Sequence, residues 1–140
     1  MSGYEAALAL GVPASKAGLA TALEATSACL GAHAVGPALE ARVALLLEEA
    51  LMNVAMHGGA PASPPRVELS LRLSPSAVEL CLRDDGRPFD PRQAPAPRRA
   101  ASLEAAVPGG VGVHLMRRFA SELHYRREGR YNVLTMRVAR

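Results

Sequence analysis

Three side chains in this sequence stand four residues apart and could do chemistry together: Glu49, Asn53 and His57. That spacing puts them on one side of a helix, one turn apart. A carboxylate so placed can orient or deprotonate a hydroxyl or a water. An amide oxygen beside a phosphate suits Mg²⁺, which takes few protein ligands and keeps several waters. An imidazole in a last turn has two readings, a group near a phosphate or a cation favoured by the helix dipole. The helical stretch that carries all three, residues 41–57, is ended by Gly58-Gly59. At about 100° per residue, Leu39, Val43, Leu46, Leu47, Ala50, Leu51 and Val54 form one broad apolar arc. Leu45, Met52 and Met56 form a narrower arc, and Glu49 and Asn53 fall in the gap between the two. Ala41, Ala44, Glu48 and Ala55 take the far side, which is expected to be solvated. Burying a carboxylate or an amide is costly unless it is paired, so Glu49 and Asn53 are either satisfied internally or line a pocket.

Two further signatures lie downstream. A strand-like run ends in Asp84-Asp85-Gly86. This is either a turn with an acidic start or a buried carboxylate that accepts a hydrogen bond from an amino group, such as an adenine amine. Gly110-x-Gly112 precedes a helical run. It is either a tight turn or a set of backbone N–H groups aimed at a phosphate. Taken one at a time, the plain structural reading is the commoner one for each.

Composition removes some function classes. Aromatics make up only 4% of the chain and there is no Trp, so the stacking platforms of single-strand nucleic-acid readers are missing. The net charge is +3, but the arginines are spread through the second half rather than gathered on one helix, so no direct nucleic-acid face is expected. Cys29 and Cys81 lie in apolar periodic contexts and read as buried thiols of a reducing compartment. No apolar run approaches the ~20 residues needed to span a bilayer. The start of the chain lacks a basic segment followed by an apolar one, so no signal peptide is expected. The expected location is the cytoplasm, away from the membrane. At 140 residues, a single domain is expected.

The elements that must position the candidate residues follow from the patterning. Residues 4–10 alternate loosely as a first strand, broken by Gly11-Val12-Pro13. Ser15 reads as an N-cap for a helix over residues 16–30. Pro37 suits the first turn of the next helix, the one bearing Glu49 and Asn53. After a loop at residues 58–65, residues 66–73 and 77–84 alternate with period two and form a hairpin around Ser74-Pro75-Ser76. Residues 92–108 are rich in Pro, Ala and Arg and read as a long functional loop. A helix over residues 113–120 and two strands, residues 122–127 and 131–138, complete the order. That order predicts an α/β sandwich with helices on one face of a mixed sheet.

In sequence order, Glu49-x-x-x-Asn53-x-x-x-His57, Asp84-x-Gly86 and Gly110-x-Gly112 resemble the N, G1 and G2 boxes of the GHKL (histidine kinase-like) ATPase superfamily. Residues 48–59, 83–91 and 109–125 are most similar to the anti-sigma-factor serine/threonine kinases of the RsbW type. The run Asp84-Asp85-Gly86-Arg87-Pro88-Phe89-Asp90-Pro91 is especially similar to that branch. The combination is specific where each box alone is not, and it covers nearly the whole chain. It implies a Bergerat-type ATP-binding fold: a two-layer α/β (α+β) sandwich whose mixed, mostly antiparallel sheet is covered on one face by helices.

The resemblance also implies cofactors and roles. ATP and Mg²⁺ would be bound. Glu49 would be the catalytic or water-orienting carboxylate and Asn53 the Mg²⁺ ligand. His57 would end the N box near the phosphates. Asp84 would bind the adenine, and Gly86 would let the backbone pass close to the base. Gly110 and Gly112 would form the hinge and phosphate end of an ATP lid over residues 92–108, in which Arg98 and Arg99 are the arginines nearest the glycines. Two positions depart from the pattern. Pro88 stands where G1 has a second glycine, and Val107-Pro108 stand where kinases of this branch often carry an Arg.

Two functional expectations follow. The first is an ATP-dependent serine/threonine protein kinase that phosphorylates an anti-sigma-factor antagonist protein, binds a sigma factor, and forms a homodimer as this branch commonly does. The second is a catalytically inactive module of the same fold that binds ATP or a protein partner. No helix pair with a phospho-acceptor His is present, so a full sensor histidine kinase is not expected.

Overall fold

A computed structural model of the chain describes residues 3–59, 63–93, 116 and 118–140. Its elements are β1 (Glu5–Pro13), α1 (Lys16–Ala32), α2 (Pro37–His57), β2 (Arg66–Leu73), β3 (Ala77–Asp84), a single 3-10 turn (Pro91–Gln93), β4 (Glu122–Glu128) and β5 (Tyr131–Ala139). The strands form one sheet in the order β1-β2-β3-β5-β4. The fold is therefore the expected α+β arrangement of helices on a sheet. All four pairings are antiparallel, so the described strands hold no parallel component of a mixed sheet. The cause is local: β4 and β5 form a hairpin, and β5 returns alongside β3.

Strand alternation decides which side chains meet the helices. Val67, Leu69, Leu71 and Leu73 of β2 are buried, as are Val78, Leu80 and Leu82 of β3 and Leu134, Met136 and Val138 of β5. Val43, Leu46, Leu47, Ala50 and Leu51 of α2 pack against them, with Leu39 and Val54 half-buried at the margin. This is the broad arc legible in the sequence. The opposite sheet face carries a cross-strand row, Arg72, Glu79, Arg137 and Glu122, with alternating charge. Its end pairs, Arg72–Glu79 and Arg137–Glu122, lie at 3.4 and 4.0 Å.

Several expectations need correction. The first strand does not break at Gly11. It runs to Pro13, which pairs with Arg66 at the end of an edge strand, where a proline interrupts no central ladder. The carbonyl of Pro13 then sits under the first turn of α1: a Cβ on Gly18 would lie 1.8 Å from that oxygen, so the contact requires glycine. Ser15 caps α1 by accepting from the Gly18 N–H at 3.1 Å. In the narrower arc of α2, Leu45 is half-buried, but Met52 is 36% and Met56 42% exposed. Cys29 and Cys81 are only half-buried. Period two puts Cys81 on the sheet face opposite Leu80 and Leu82. No described helix is long and apolar enough to cross a membrane. Most of the expected lid and of the helix over residues 113–120 lies outside the described residues; Met116, Arg118 and Phe119 are helical.

Candidate functional site

The alternation that buries Leu80 and Leu82 also carries Asp84, the last residue of β3, onto the helix-covered face, where it is 5% exposed. Its partner across the β3–β5 ladder is Asn132, also 5% exposed. Two polar residues thus end an otherwise apolar face, and the C-terminal half of α2 lies over them. From α2, Ala50, Asn53, Val54 and His57 line a cavity. The sheet contributes Leu82, Asp84, Tyr125, Asn132 and Leu134, and the turn after β3 contributes Arg87, Phe89 and Pro91. The cavity encloses about 410 Å³ with its solvent-open mouth included. Most of the walls are apolar and a few polar groups converge, as small-molecule sites require.

Asn132 is the hub of the polar end. Its Nδ2 donates to Asp84 Oδ1 at 3.0 Å and to the Arg87 carbonyl at 2.7 Å. Its Oδ1 accepts from the Phe89 N–H at 3.3 Å, from Arg127 Nη1 at 3.2 Å and from the Tyr125 hydroxyl. Asp84 Oδ1 also accepts the Gly86 N–H at 2.9 Å. Arg127 Nη1 braces the same turn by donating to the Gly86 carbonyl at 2.9 Å. Among the described residues, no hydrogen bond reaches Asp84 Oδ2. Burial pushes the Asp84 carboxyl up, against the Asn132 and Gly86 hydrogen bonds, which pull it down. Asp85 adds to the upward push and Arg127 opposes it. The result is a fixed carboxylate with one oxygen committed and one acceptor open to the cavity.

Asn53 is the opposite case. It is 3% exposed, and neither Oδ1 nor Nδ2 has a hydrogen-bond partner among the described residues. An orphaned buried amide of this kind destabilises a fold by about 1–3 kcal/mol. Such a group calls for a partner beyond the described protein atoms, a water, an ion or a ligand. The donor set fits Mg²⁺ held together with phosphate oxygens, since one neutral oxygen ligand leaves room for waters and phosphate.

The two signatures are joined by backbone. Gly86 abuts the end of α2, so that a Cβ there would lie 2.7 Å from Gly58 Cα and 2.8 Å from Gly58 O. The Arg87 N–H donates to that same Gly58 carbonyl at 3.1 Å. Gly86 thus permits a close approach to the helix end. His57 stacks on Phe89, centroids 4.1 Å apart and planes 11° from parallel. That contact adds a third link between α2 and the turn.

Of the expected site residues, Asn53, His57 and Asp84 line one cavity, and Gly86 holds its turn against α2. Glu49 is half-buried one turn before Asn53 but does not line the cavity. Burial first, and Glu48 second, push its carboxyl up. Arg98, Arg99, Gly110 and Gly112 lie outside the described residues. Sequence reasoning missed Asn132, Tyr125 and Arg127. The available signal was Asn132 itself, a polar residue in phase with Leu134, Met136 and Val138 on the buried face of β5.

The profile of the histidine kinase-like ATPase domain matches residues 12–138. The chain belongs to this family. Membership implies ATP as the nucleotide. The chain is also 41% identical, over 92 residues, to a protein of Bordetella bronchiseptica named serine/threonine-protein kinase BtrW. That similarity covers 66% of this chain and 65% of the relative. The histidine kinase-like domain therefore accounts for the order of the three signatures and for the cavity between two of them.

Proposed function

We propose that the cavity binds Mg²⁺–ATP and that the protein is a serine/threonine protein kinase of the partner-switching kind. It would phosphorylate an antagonist protein and, when not doing so, hold a sigma factor. The observation that carries the reading is that Asp84 and Asn53, from separate elements, line the same cavity, and that the buried Asn53 amide has no hydrogen-bond partner among the described residues. Asp84 Oδ2 would accept the adenine amine, and the apolar walls would hold the ring. Asn53 would hold the metal, whose charge would offset that on the phosphates. Glu49, its carboxyl raised by burial, is suited to take the proton from the attacking hydroxyl. The hydroxyl oxygen would form the new bond to the γ-phosphorus as the bond to the β-phosphate oxygen breaks and ADP leaves. Arg98 and Arg99 would lie near the γ-phosphate, with Gly110 and Gly112 at the end of the lid. The similarity to a named serine/threonine kinase supports the reaction, and the motif pattern supports the partners. In this reading the protein works in the cytoplasm, as one domain and as a homodimer.

The test has two parts. Titration with ATP should show binding strengthened by Mg²⁺ and lost in Asp84→Asn. Incubation with γ-labelled ATP and antagonist proteins bearing an acceptor serine should label the antagonist. Absence of binding, in wild type and variant alike, removes the whole reading.

A second reading keeps the nucleotide and drops the transfer. It is favoured by Glu49, which sits outside the cavity that Asn53 lines. ATP would then only set a surface for a protein partner. Binding without label transfer to any acceptor would select it.

A further inference from the structure

One cation at the cavity mouth has no task in the account above. We propose that Arg87 is a binding residue that grips the phosphate chain of the nucleotide, an inference that rests on reading the cavity as a nucleotide site.

Arg87 supplies the one guanidinium among the described lining residues. Its backbone is pinned on both sides: the N–H donates to Gly58 O at 3.1 Å and the carbonyl accepts from Asn132 at 2.7 Å. Its side chain is exposed and forms no ion pair or hydrogen bond among the described residues. The neighbouring charges are already engaged. Arg92 is paired with Asp90 at 2.9 Å, and Arg127 is bound to Gly86 O at 2.9 Å. The Asp85 carboxylate accepts the Arg66 N–H at 3.0 Å. A fixed backbone with a free guanidinium is a preorganised anion site that needs no internal pair broken.

The cavity's polarity says which part of the ligand Arg87 meets. Its deep end is the buried Asp84–Asn132 pair, where an anion would be repelled and a neutral base with an amino group is suited. Its exposed rim carries Arg87 and His57. A nucleotide seated base-inward therefore brings its anionic chain past the rim, where Arg87 can donate in a fork to two phosphate oxygens.

The experiment compares wild type, Arg87→Ala and Arg87→Lys by calorimetric titration with adenosine and with ATP, each across a salt series. The expected result is a loss of about tenfold in ATP affinity for Arg87→Ala, the size of one charge-assisted contact. Adenosine affinity stays unchanged, the salt dependence for ATP becomes shallower, and Arg87→Lys recovers part of the loss. Wild-type ATP affinity in Arg87→Ala overturns the proposal. Equal losses for ATP and adenosine overturn it too, since they assign Arg87 to the fold of the turn. If Arg87→Ala does not fold, Arg87→Lys decides: a loss confined to ATP supports the fork, and unchanged ATP affinity or an equal loss for adenosine overturns it. If wild type binds neither ligand, the nucleotide reading fails first and the proposal with it.

Discussion

The side-chain amide of Asn132 donates to the carboxylate of Asp84 at 3.0 Å, across adjacent strands and with both groups buried. This bond orients the carboxylate so that one oxygen is committed and the other stays open. The same amide holds the turn that carries Gly86, Arg87 and Phe89. One residue of β5 thus connects the end of the sheet to the mouth of the cavity.

Asn132→Ala should therefore damage both stability and binding. It strips partners from Asp84, the Arg87 carbonyl and the Tyr125 hydroxyl. Leaving such buried groups unsatisfied costs about 2–3 kcal/mol. Urea unfolding should show that loss, and ATP affinity should fall with it. Unchanged stability would remove Asn132 as the hub.

Asn53→Leu should behave in the opposite way for stability. The buried amide has no partner among the described residues, and leucine is both apolar and a better helix former. Thermal unfolding without nucleotide should report a gain of about 1–2 kcal/mol. ATP titration should lose its dependence on Mg²⁺. A destabilised variant would mean that Asn53 is satisfied in solution.

Gly86→Ala tests the joint between the two signatures. The added methyl would meet the Gly58 backbone at 2.7 Å, and backbone cannot swing aside as a side chain can. A cost of about 1–3 kcal/mol is expected. The His57–Phe89 stack should loosen as the turn lifts from α2. Shifted ring resonances of His57 and Phe89 in NMR spectra would report it; native ring shifts together with native stability would argue against a tight joint.

Asp84→Asn should change the pH profile of stability. Burial raises the folded-state carboxyl above its ordinary 3.8, so the folded protein holds this proton more tightly than the unfolded chain does. The ionised form therefore opposes folding. Stability from this group declines as pH rises from the unfolded value through the raised folded one, and stays lower beyond it. Asparagine keeps an acceptor for Gly86 and Asn132 but carries no charge. The variant should lose this decline, match or exceed wild type in stability near neutral pH, and fail to bind ATP. Unfolding curves at several pH values check it, and a decline that persists in the variant would point to another group.

How far the sequence reaches can be seen in particular residues. The period of two over residues 66–84 and the apolar arc of α2 foretold β2, β3 and the packed face of the helix, because burial on one side imposes those spacings. The Ser15 cap was equally local. The end of β1 was not, since Gly11-Val12-Pro13 reads as a break until an edge position makes Pro13 harmless. Met52 and Met56 looked like burial partners from their spacing, and only the path of the neighbouring elements left them exposed.

The same division holds at the site. Residue type and order singled out Asn53, His57, Asp84 and Gly86 as candidates, and the resemblance to the histidine kinase-like ATPases suggested a purine nucleotide. Which of them share a cavity was not written along the chain. Strand order placed Asn132 beside Asp84, and the Gly58–Gly86 contact brought the end of α2 down onto the turn. Glu49 shares a helix side with Asn53 but lies about 6 Å further back along the axis of α2, and it does not line the cavity. Chemical identity is a local property of the chain, whereas proximity is set by how the layers pack.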